Sequence, residues 1–326
     1  MKAKRRAISF LTGIIVVNLF FVSCKKEDSS DPVTPPPQPA GWSVTTFPAL
    51  KVISLYTSKA GYLFAGTDSN GIYRSVDGGT TWSSVNNGIV QFHVNSITEN
   101  SSGVLYAGTS GAAIYRSTNQ GALWEEIDPF GSGNADTYCV AVNSNGDIFA
   151  GLNLMGWVLR STNGGTSWTS LTVSSSVYYI YSIAIDTSGK LFAGTASGIY
   201  VSTNNGTSWS KPTTTFSTTD VLTVGAAANG YVWAGTFDKG IYYSNDHGVT
   251  WNSSSLSTGR VNAVCYDGTT LFIGTTANGV YSSKNNGITA SSMNDNLPNL
   301  NVYALTIHGG TTMFAGTQNG IFKITL

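Results

Sequence analysis

One short segment recurs along the chain and places a hydroxyl, a carboxylate or carboxamide, a glycine and an indole at fixed spacing. Its pattern is Ser-x-Asp-x-Gly-x-Thr-Trp, and a repeated carboxylate of this kind could serve acid–base or nucleophilic catalysis. The copies are Ser75–Trp82, Ser117–Trp124, Ser161–Trp168, Ser202–Trp209, Ser244–Trp251 and, without the tryptophan, Ser283–Ala290.

The variation of this segment argues against catalysis. Aspartate is kept only at Asp77 and Asp246, and asparagine, which cannot exchange a proton, replaces it in the other copies. Asp and Asn both accept hydrogen bonds from nearby backbone amides, glycine allows a positive φ, and an indole can pack onto a sheet. We therefore predict structural roles in turns for Asp77, Trp82, Asn119, Trp124, Asn163, Trp168, Asn204, Trp209, Asp246 and Trp251.

Acids outside this segment could supply the two carboxylates, about 5 to 9.5 Å apart, that a glycoside hydrolase needs. Asp186 and Asp267 precede turns that contain glycine, where aspartate is usually a turn former. The other acids considered are Glu99, Glu125, Glu126, Asp128, Asp136, Asp220 and Asp238, of which Glu125 and Glu126 are expected to face solvent. The sequence does not pair any two of these acids, so no catalytic residue is assigned and hydrolysis stays an alternative.

Residues that bind metals or form disulfides are sparse. His93, His247 and His308 are isolated in the sequence and lack the spacing of metal ligands. Cys139 and Cys265 fall in predicted inner strands and are expected to be buried, unpaired thiols. The sequence predicts neither a metal nor another cofactor.

The elements that must position these residues repeat seven times. A strand of the type Leu-Phe-Ala-Gly-Thr has its glycine at positions 66, 108, 151, 194, 235, 274 and 316, at intervals of 39 to 43 residues. A strand with a small Ser or Ala precedes it, a third strand follows it, and the tryptophan of the repeated segment opens a fourth. This period predicts an all-β, seven-bladed β-propeller of four-stranded blades over residues 41–326.

The two ends of this body are complementary. The seventh repeat stops after its third strand, Gly320–Ile324, and the body begins with Gly41–Val44, which aligns with a fourth strand. We predict that the N-terminal strand completes the last blade and closes the ring, which removes exposed sheet edges.

The six spaced segments resemble the Asp-box, or BNR repeat, of Asp-box β-propellers, and the resemblance spans residues 41–326. Sialidases of this type need converging arginines and an Arg-Ile-Pro segment. This body lacks that segment, and its only arginines are Arg74, Arg116, Arg160 and Arg260, so a sialidase is not expected. Xyloglucanases of this type are similar in the spacing of their repeats and in the motif, but they build their cleft between two propellers. The photosystem II stability/assembly factor is similar in size, and its arginine stripe is partly matched by Arg74, Arg116 and Arg160, which implies a protein-binding propeller or assembly scaffold.

The positions that the repeat leaves free vary most. Residues just before each inner strand are predicted to surround one mouth of the central channel: Lys51, His93, Tyr138, Tyr179, Asp220, Arg260 and Asn301. Phe92 and Tyr178 lie beside them, and Trp157 and Phe237 are expected in the turns between second and third strands. Aromatic faces beside polar groups suit sugars or extended peptides. The alternative is a solvated rim whose composition has drifted.

The first residues form an export signal. Four basic residues precede the apolar run Ala7–Val22, whose sixteen residues would rise about 24 Å as a helix, short of a hydrocarbon core of about 30 Å. The run ends in Phe21–Cys24, which resembles the lipobox of bacterial lipoproteins and implies cleavage after residue 23 and lipidation of Cys24. Lys25–Asp28 is similar to a surface-export signal, and the proline-rich segment up to residue 40 reads as a tether.

Composition and charge limit the function classes. The chain has 17 basic and 17 acidic residues, and because four basic residues lie in the signal, cleavage leaves 13 against 17, a formal charge of about −4. This balance argues against nucleic acid as a partner. We predict a monomeric lipoprotein of the outer membrane, either facing the periplasm or displayed at the cell surface. Its expected role is non-catalytic binding of glycan or protein at the channel mouth.

Overall fold

The structure is a computed structural model that describes residues 41–111, 113–127, 135–212, 219–257 and 259–326. The predicted signal peptide (residues 1–23), the lipidated Cys24 with its tether (residues 24–40) and Asp128 lie outside the described residues. Within these described ranges, no helix has the length and apolar character needed to cross a membrane.

The described residues form twenty-seven strands. The first thirteen are β1 (Ser43–Val44), β2 (Val52–Thr57), β3 (Leu63–Thr67), β4 (Ile72–Ser75), β5 (Ser83–Ser84), β6 (Val94–Glu99), β7 (Leu105–Thr109), β8 (Ile114–Ser117), β9 (Glu125–Glu126), β10 (Thr137–Val142), β11 (Ile148–Leu152), β12 (Trp157–Ser161) and β13 (Thr169–Thr172). The others are β14 (Ile180–Ile185), β15 (Leu191–Thr195), β16 (Gly198–Ser202), β17 (Val221–Ala226), β18 (Val232–Thr236), β19 (Ile241–Ser244), β20 (Asn252–Ser253), β21 (Val261–Tyr266), β22 (Leu271–Thr275), β23 (Gly279–Ser283), β24 (Ser291–Ser292), β25 (Val302–His308), β26 (Thr312–Thr317) and β27 (Gly320–Thr325).

These strands form seven antiparallel sheets, which confirms the predicted seven-bladed propeller. Blades I to VII begin with the inner strands β2, β6, β10, β14, β17, β21 and β25. Each inner strand contacts the inner strands of the two neighbouring blades, and β25 contacts β2, so the ring is closed. In blade IV the fourth strand is reduced to a two-way hydrogen-bonded bridge between Val201 and Ser210.

The predicted closure is also confirmed. Strand β1 pairs with β27, so residues from the start and the end of the body share blade VII. Trp42 is 3% exposed, and its indole donates a 2.6 Å hydrogen bond to the Met293 carbonyl of blade VI. Trp124 and Trp168 make the equivalent bond to the preceding blade, which shows that Trp42 does for blade VII what these tryptophans do for theirs.

The apolar core lies between the blades. Every residue of the seven second strands is buried except Thr312 at the start of β26, because neighbouring blades cover both faces of each sheet. The recurring glycine of these strands reflects this crowding. A Cβ at Gly66 would lie 2.7 Å from the carbonyl oxygen of Val94 in the next blade, closer than a methyl group can approach.

Antiparallel pairing gives the propeller two different faces. The links between first and second strands and between third and fourth strands lie at one end of the blades, which we call the turn face. The links between second and third strands and between successive blades lie at the other end, which we call the mouth face. The six repeated segments, which we call the Asp/Asn turns, all lie on the turn face.

The Asp/Asn turns use their polar side chains internally. In the first of them, Asp77 Oδ1 accepts hydrogen bonds from the Thr80 and Thr81 amides, and the Ser75 hydroxyl accepts one from the Gly79 amide. Where asparagine replaces aspartate, as at Asn163, Oδ1 accepts the equivalent amide bond from Ser167 and Nδ2 donates to the Ser167 hydroxyl. Both residues therefore close the same turn.

A second repeated contact joins each of five blades to the next. In each case a side chain donates to the carbonyl of the fourth residue of the following Asp/Asn turn, and we call these contacts clasps. The donors and acceptors are Arg74 to Gln120 (2.6 Å), Arg116 to Gly164 (2.9 Å), Arg160 to Asn205 (2.9 Å), Lys190 to His247 (2.8 Å) and Trp233 to Asn286 (2.8 Å). The three arginines thus lie in successive interfaces and hold the ring together.

Candidate functional site at the channel mouth

A bulge in every inner strand shapes the channel. In β2, Val52 pairs with Thr67 and Ser54 pairs with Gly66, so Ile53 has no partner across the ladder. The same register shift recurs at this point in all seven inner strands. A bulge re-aims the side chain of its extra residue. The re-aimed residues, which we call the channel ring, line one cavity of about 260 Å³: Ile53, Asn95, Tyr138, Tyr181, Leu222, Asn262 and Tyr303.

One side of the mouth is aromatic. Tyr181 stacks on Tyr138 with ring centroids 5.7 Å apart and on Tyr179 at 5.8 Å, and Tyr178 meets Tyr179 edge-on at 5.3 Å. These four residues form the tyrosine cluster of blades III and IV. The Tyr181 hydroxyl donates to Asp220 at 3.1 Å, and burial together with the negative charge of Asp220 raises the pKa of Tyr181. The cluster presents aromatic rings that carry hydroxyl groups.

The side of the mouth formed by blades I and II is charged. Lys51 Nζ lies 3.1 Å and His93 Nδ1 lies 3.4 Å from the same oxygen of Asp68. Lys51 Nζ also lies 5.2 Å from the centroid of the Tyr303 ring. We call Lys51, Asp68 and His93 the charged cluster. All three line the cavity of the channel ring, so a ligand that enters the mouth meets them.

Arg260 of blade VI supplies a further cation. Its Nε donates to Asn262 of the channel ring at 2.8 Å, and its guanidinium lies 5.3 Å from the Phe237 ring. Among the described residues Arg260 forms no ion pair. Its side chain is exposed, and it can therefore donate hydrogen bonds to a carboxylate or hydroxyl group of a ligand.

Six of the residues predicted at the mouth directly precede their inner strands, as expected: Lys51, His93, Tyr179, Asp220, Arg260 and Asn301. Phe92 is 44% exposed beside His93, and Phe237, in the turn between β18 and β19, is 51% exposed. Asn301 accepts a hydrogen bond from the Ala277 amide and so ties blade VII to a turn of blade VI. These side chains were predicted to surround one mouth of the channel, and the topology places them on the mouth face.

Two placements were wrong. Tyr138 does not precede its inner strand but is the second residue of β10, and Asp136 takes the preceding position. The error arose because β10 starts with Thr137, where five other inner strands start with valine, so the sequence aligned one residue out of register. Trp157 does not lie in a turn. It is the first residue of β12 and packs, partly buried, against the core of blade III.

Several residues of the mouth were not predicted from the sequence. Asp68 follows β3, and its amide donates to the carbonyl of Lys51, which brings its carboxylate beside Lys51 and His93. Tyr181 and Tyr303 are second residues of inner strands and belong to the channel ring. The signal that could have found them is the second position of each inner strand, which varies from Ile to Asn to Tyr between repeats.

The carboxylates of the mouth already have partners. Asp68 pairs with Lys51, Asp220 accepts from Tyr181, and Asp136 accepts from the Gly111 amide at 2.8 Å. A glycosidase acid needs a raised pKa. The carboxyl pKa shifts that are resolved are all downward and belong to the turn face, at Asp77, Asp186, Asp246 and Asp267. In the part of the chain that the structure describes, no three acidic, histidine or cysteine side chains gather as metal ligands would.

Comparisons with known proteins agree with this fold. Residues 191–320 match the DUF6242 beta propeller domain. A solved structure of YCF48 bound to a D1 peptide has a TM-score of 0.68 at 18% identity and covers 88% of this chain and 97% of its own, and YCF48 from Cyanidioschyzon merolae has a TM-score of 0.67 at 16% identity, covering 88% and 99%. The GH74 xyloglucanase from Xanthomonas campestris has a TM-score of 0.69 at 17% identity, with 86% of this chain and 53% of its own covered. No curated protein sequence matches. At these identities the likeness establishes a shared β-propeller fold.

Proposed function

We propose that this protein is a non-catalytic binding propeller that captures an extended polymer, a polypeptide segment or a glycan chain, across its mouth face. The observation that carries the proposal is the channel ring with its two unlike sides, the tyrosine cluster and the charged cluster. These residues differ between blades, whereas the turn face repeats. The structure of YCF48 with a peptide supports a polypeptide as the first class to test.

The physical argument rests on the complementarity of the two sides. Stacked tyrosine rings offer flat apolar area at a low cost in conformational entropy, which suits both aromatic side chains and the apolar faces of sugars. Arg260 and the charged cluster offer donors to carboxylates or hydroxyl groups on the same ligand. A ligand that spans the mouth can therefore contact both kinds of surface at once.

Peptide and glycan arrays probed with the mature chain, with Cys24 replaced by Ala, test this proposal. Tyr138→Ala and Arg260→Gln should each weaken binding. Leu123→Ala, which removes an exposed apolar side chain (50%) from the turn face, should leave it unchanged. Equal binding by all four proteins would contradict a ligand site at the mouth.

A glycoside hydrolase remains the second candidate because the fold is shared with a GH74 xyloglucanase. Asp220 is the mouth acid to substitute, since its carboxylate is held by Tyr181 at the edge of the channel ring. Product release from xyloglucan or another polysaccharide that disappears in Asp220→Asn would replace the binding proposal with this one. An assembly scaffold that uses Arg74, Arg116 and Arg160 is less well supported, because all three are engaged in clasps.

We further propose that a lipid on Cys24 tethers the propeller to the outer membrane. The apolar run Ala7–Val22 and the cysteine that follows it support this, and two or more acyl chains suffice for stable anchoring. Fractionation of cells that express Cys24→Ala should move the protein from the membrane to the soluble fraction. Retention of that variant in the membrane would contradict lipid anchoring, and protease treatment of intact cells distinguishes surface display from the periplasmic side.

A further inference from the structure

A second cavity, of about 480 Å³, opens between blades V and VI. It belongs to the turn face, because it is lined by the turn between β17 and β18 and by Gly268 of the turn between β21 and β22. Blade V contributes the Trp233 indole, and blade VI contributes the Tyr266 ring, with centroids 4.9 Å apart and planes at 43°. Its volume lies in the range of small-molecule sites, about 300 to 1,000 Å³.

The interface that contains this cavity departs from the repeat. Gly225 takes the position that holds Tyr, Thr, Ala or Cys in the other inner strands. Trp233 replaces the Phe or Tyr found at this position of every other second strand, and Ala290 stands where the preceding Asp/Asn turns have tryptophan. At this interface the indole therefore belongs to the sheet of blade V and not to the Asp/Asn turn of blade VI. Gly225 lies close against the neighbouring blade, since a Cβ there would be 2.9 Å from Val264 Cγ2.

The turn that borders the cavity has also lost a stabilising residue. In the equivalent turns of blades I to IV, Ser58, Asn100, Asn143 and Asp186 accept a hydrogen bond from the amide four residues ahead. Blade V has Ala227 there, within the run Ala226–Ala228. Replacement of a turn-capping side chain by methyl groups removes a stabilising bond, and departures of this kind concentrate at functional sites.

The chemistry of the lining limits the ligand. None of the described residues that line the cavity carries a formal charge. Burial opposes ionisation of the adjacent Asp267, but hydrogen bonds from the Thr270 and Thr269 amides outweigh it and lower its pKa, so this neighbour is an anion. Burial and that negative charge raise the pKa of Cys265 to about 12, which keeps its thiol neutral. Polar groups share the lining: the Tyr266 hydroxyl donates to the Gly268 carbonyl at 2.7 Å, and the Asn229 side chain reaches the Tyr266 hydroxyl.

We propose that this cavity is a binding site for a neutral planar aromatic ring of about the size of indole, held against Tyr266 above the buried Trp233, with its polar edge at Asn229. An uncharged lining with a partly exposed aromatic ring and nearby polar groups has the features of a site for such a ring. The ring could arrive as a free compound or as the side chain of a partner polypeptide. This site lies on the face opposite the channel mouth and does not depend on the function proposed for the mouth.

Calorimetric titration with indole, N-acetyltryptophan amide and indole-3-acetate tests the proposal on the mature chain with Cys24 replaced by Ala. Indole should bind once per chain, and the anionic indole-3-acetate should bind more weakly. Binding of N-acetyltryptophan amide as well would show that a side chain on a polypeptide can enter, and binding of indole alone would identify a site for free compounds.

Two variants locate the site. Ala228→Leu fills the cavity from an exposed turn position and should weaken indole binding by about tenfold or more, whereas Ser144→Leu, at the equivalent exposed position of blade III, should not. Tyr266→Ala should also weaken binding, and Tyr266→Phe should keep it. No saturable binding of indole, or binding that is lost in Tyr138→Ala at the mouth but retained in Ala228→Leu, would overturn the proposal.

Discussion

The two faces of this propeller are made from the same seven repeats but use them differently. On the turn face, the Asp/Asn turns and the clasps recur with the same geometry from blade to blade, and their polar atoms bond to the backbone. On the mouth face, each inner strand bulges at the same residue, but the side chain it turns into the channel is Ile, Asn, Tyr or Leu. The backbone is repeated on both faces, whereas the polar side chains of the Asp/Asn turns are repeated on the turn face alone.

This difference separates stability from recognition. A side chain that bonds to the backbone of a neighbouring blade contributes to closure of the ring, and its replacement should lower the free energy of unfolding. A channel-ring side chain lines the cavity of the mouth, so its replacement should mainly weaken ligand binding. Four variants test this division, beginning with the one expected to lose most stability.

Trp42→Ala should have the largest effect because it weakens blade VII, where the pairing of β1 with β27 closes the ring. The indole is almost fully buried and is bonded to the Met293 carbonyl, and loss of a buried tryptophan costs about 3 to 5 kcal/mol of unfolding free energy. Denaturant titration should show this loss, while Val44→Thr, at a 70% exposed position of β1 two residues later, should not change stability. An unchanged unfolding transition in Trp42→Ala would contradict closure by β1.

Arg160→Met should have the next largest effect. The substitution keeps most of the apolar stem but removes the clasp to the Asn205 carbonyl, and a hydrogen bond from a charged donor contributes about 1.5 to 3 kcal/mol. Arg260→Met at the mouth is the matched control, since Arg260 is exposed and should change stability by less than about 0.5 kcal/mol. Equal losses of unfolding free energy in the two variants would contradict the proposed difference between the faces.

Most of the fold could be predicted from the sequence because the repeat is strict where the backbone is crowded. The glycine of the second strands and the tryptophans of the Asp/Asn turns gave the blade count and the closure by Trp42. The mouth was harder to predict, because a bulge changes which residue faces the channel and no particular residue type signals its presence. Tyr181 was not recognised for this reason, whereas Tyr138 was placed one residue out of register because β10 begins with Thr137 instead of valine. Asp68 was not recognised because it reaches Lys51 through a backbone hydrogen bond between residues that flank separate strands. Long-range partners such as Arg160 and Asn205 also cannot be inferred from local pattern.

Tyr181→Phe should change both stability and ligand binding through a single residue. It keeps the stacked ring but removes the hydrogen bond to Asp220, so stability should fall by about 0.5 to 1.5 kcal/mol while an array ligand that uses the hydroxyl binds more weakly. Because the pKa of Tyr181 is raised in the folded state, the stabilisation by this bond is complete below pH 10 and is lost as pH rises further. Wild-type protein should therefore lose more stability than Tyr181→Phe in alkaline solution, and parallel curves would contradict this contact.

The smallest effect at neutral pH is expected for the double variant Asp77→Asn, Asp246→Asn. Asparagine closes the same turn in Asn119, Asn163 and Asn204, so the melting temperature at pH 7 should be nearly unchanged. Acid should reveal a difference. Hydrogen bonds from Thr81 lower the pKa of Asp77 from 3.8 to about 2, and those from Thr250 outweigh burial and do the same for Asp246. A lowered folded-state pKa stabilises the fold above the unfolded value, and that stabilisation is lost as pH falls from about 4 to about 2.

The double variant should therefore melt at a higher temperature than wild type near pH 2, although the two are alike at pH 7. Asn163→Asp supplies the reciprocal control, because it gives the third Asp/Asn turn the same acid-titrating group. The Ser167 amide can still donate to it, and the Ser167 hydroxyl can turn to donate where it now accepts. This variant should be as stable as wild type at pH 7 and less stable near pH 2. If the double variant instead lost stability at pH 7, the two aspartates would have a role that the asparagine turns lack, and the turn face would not be a uniform framework.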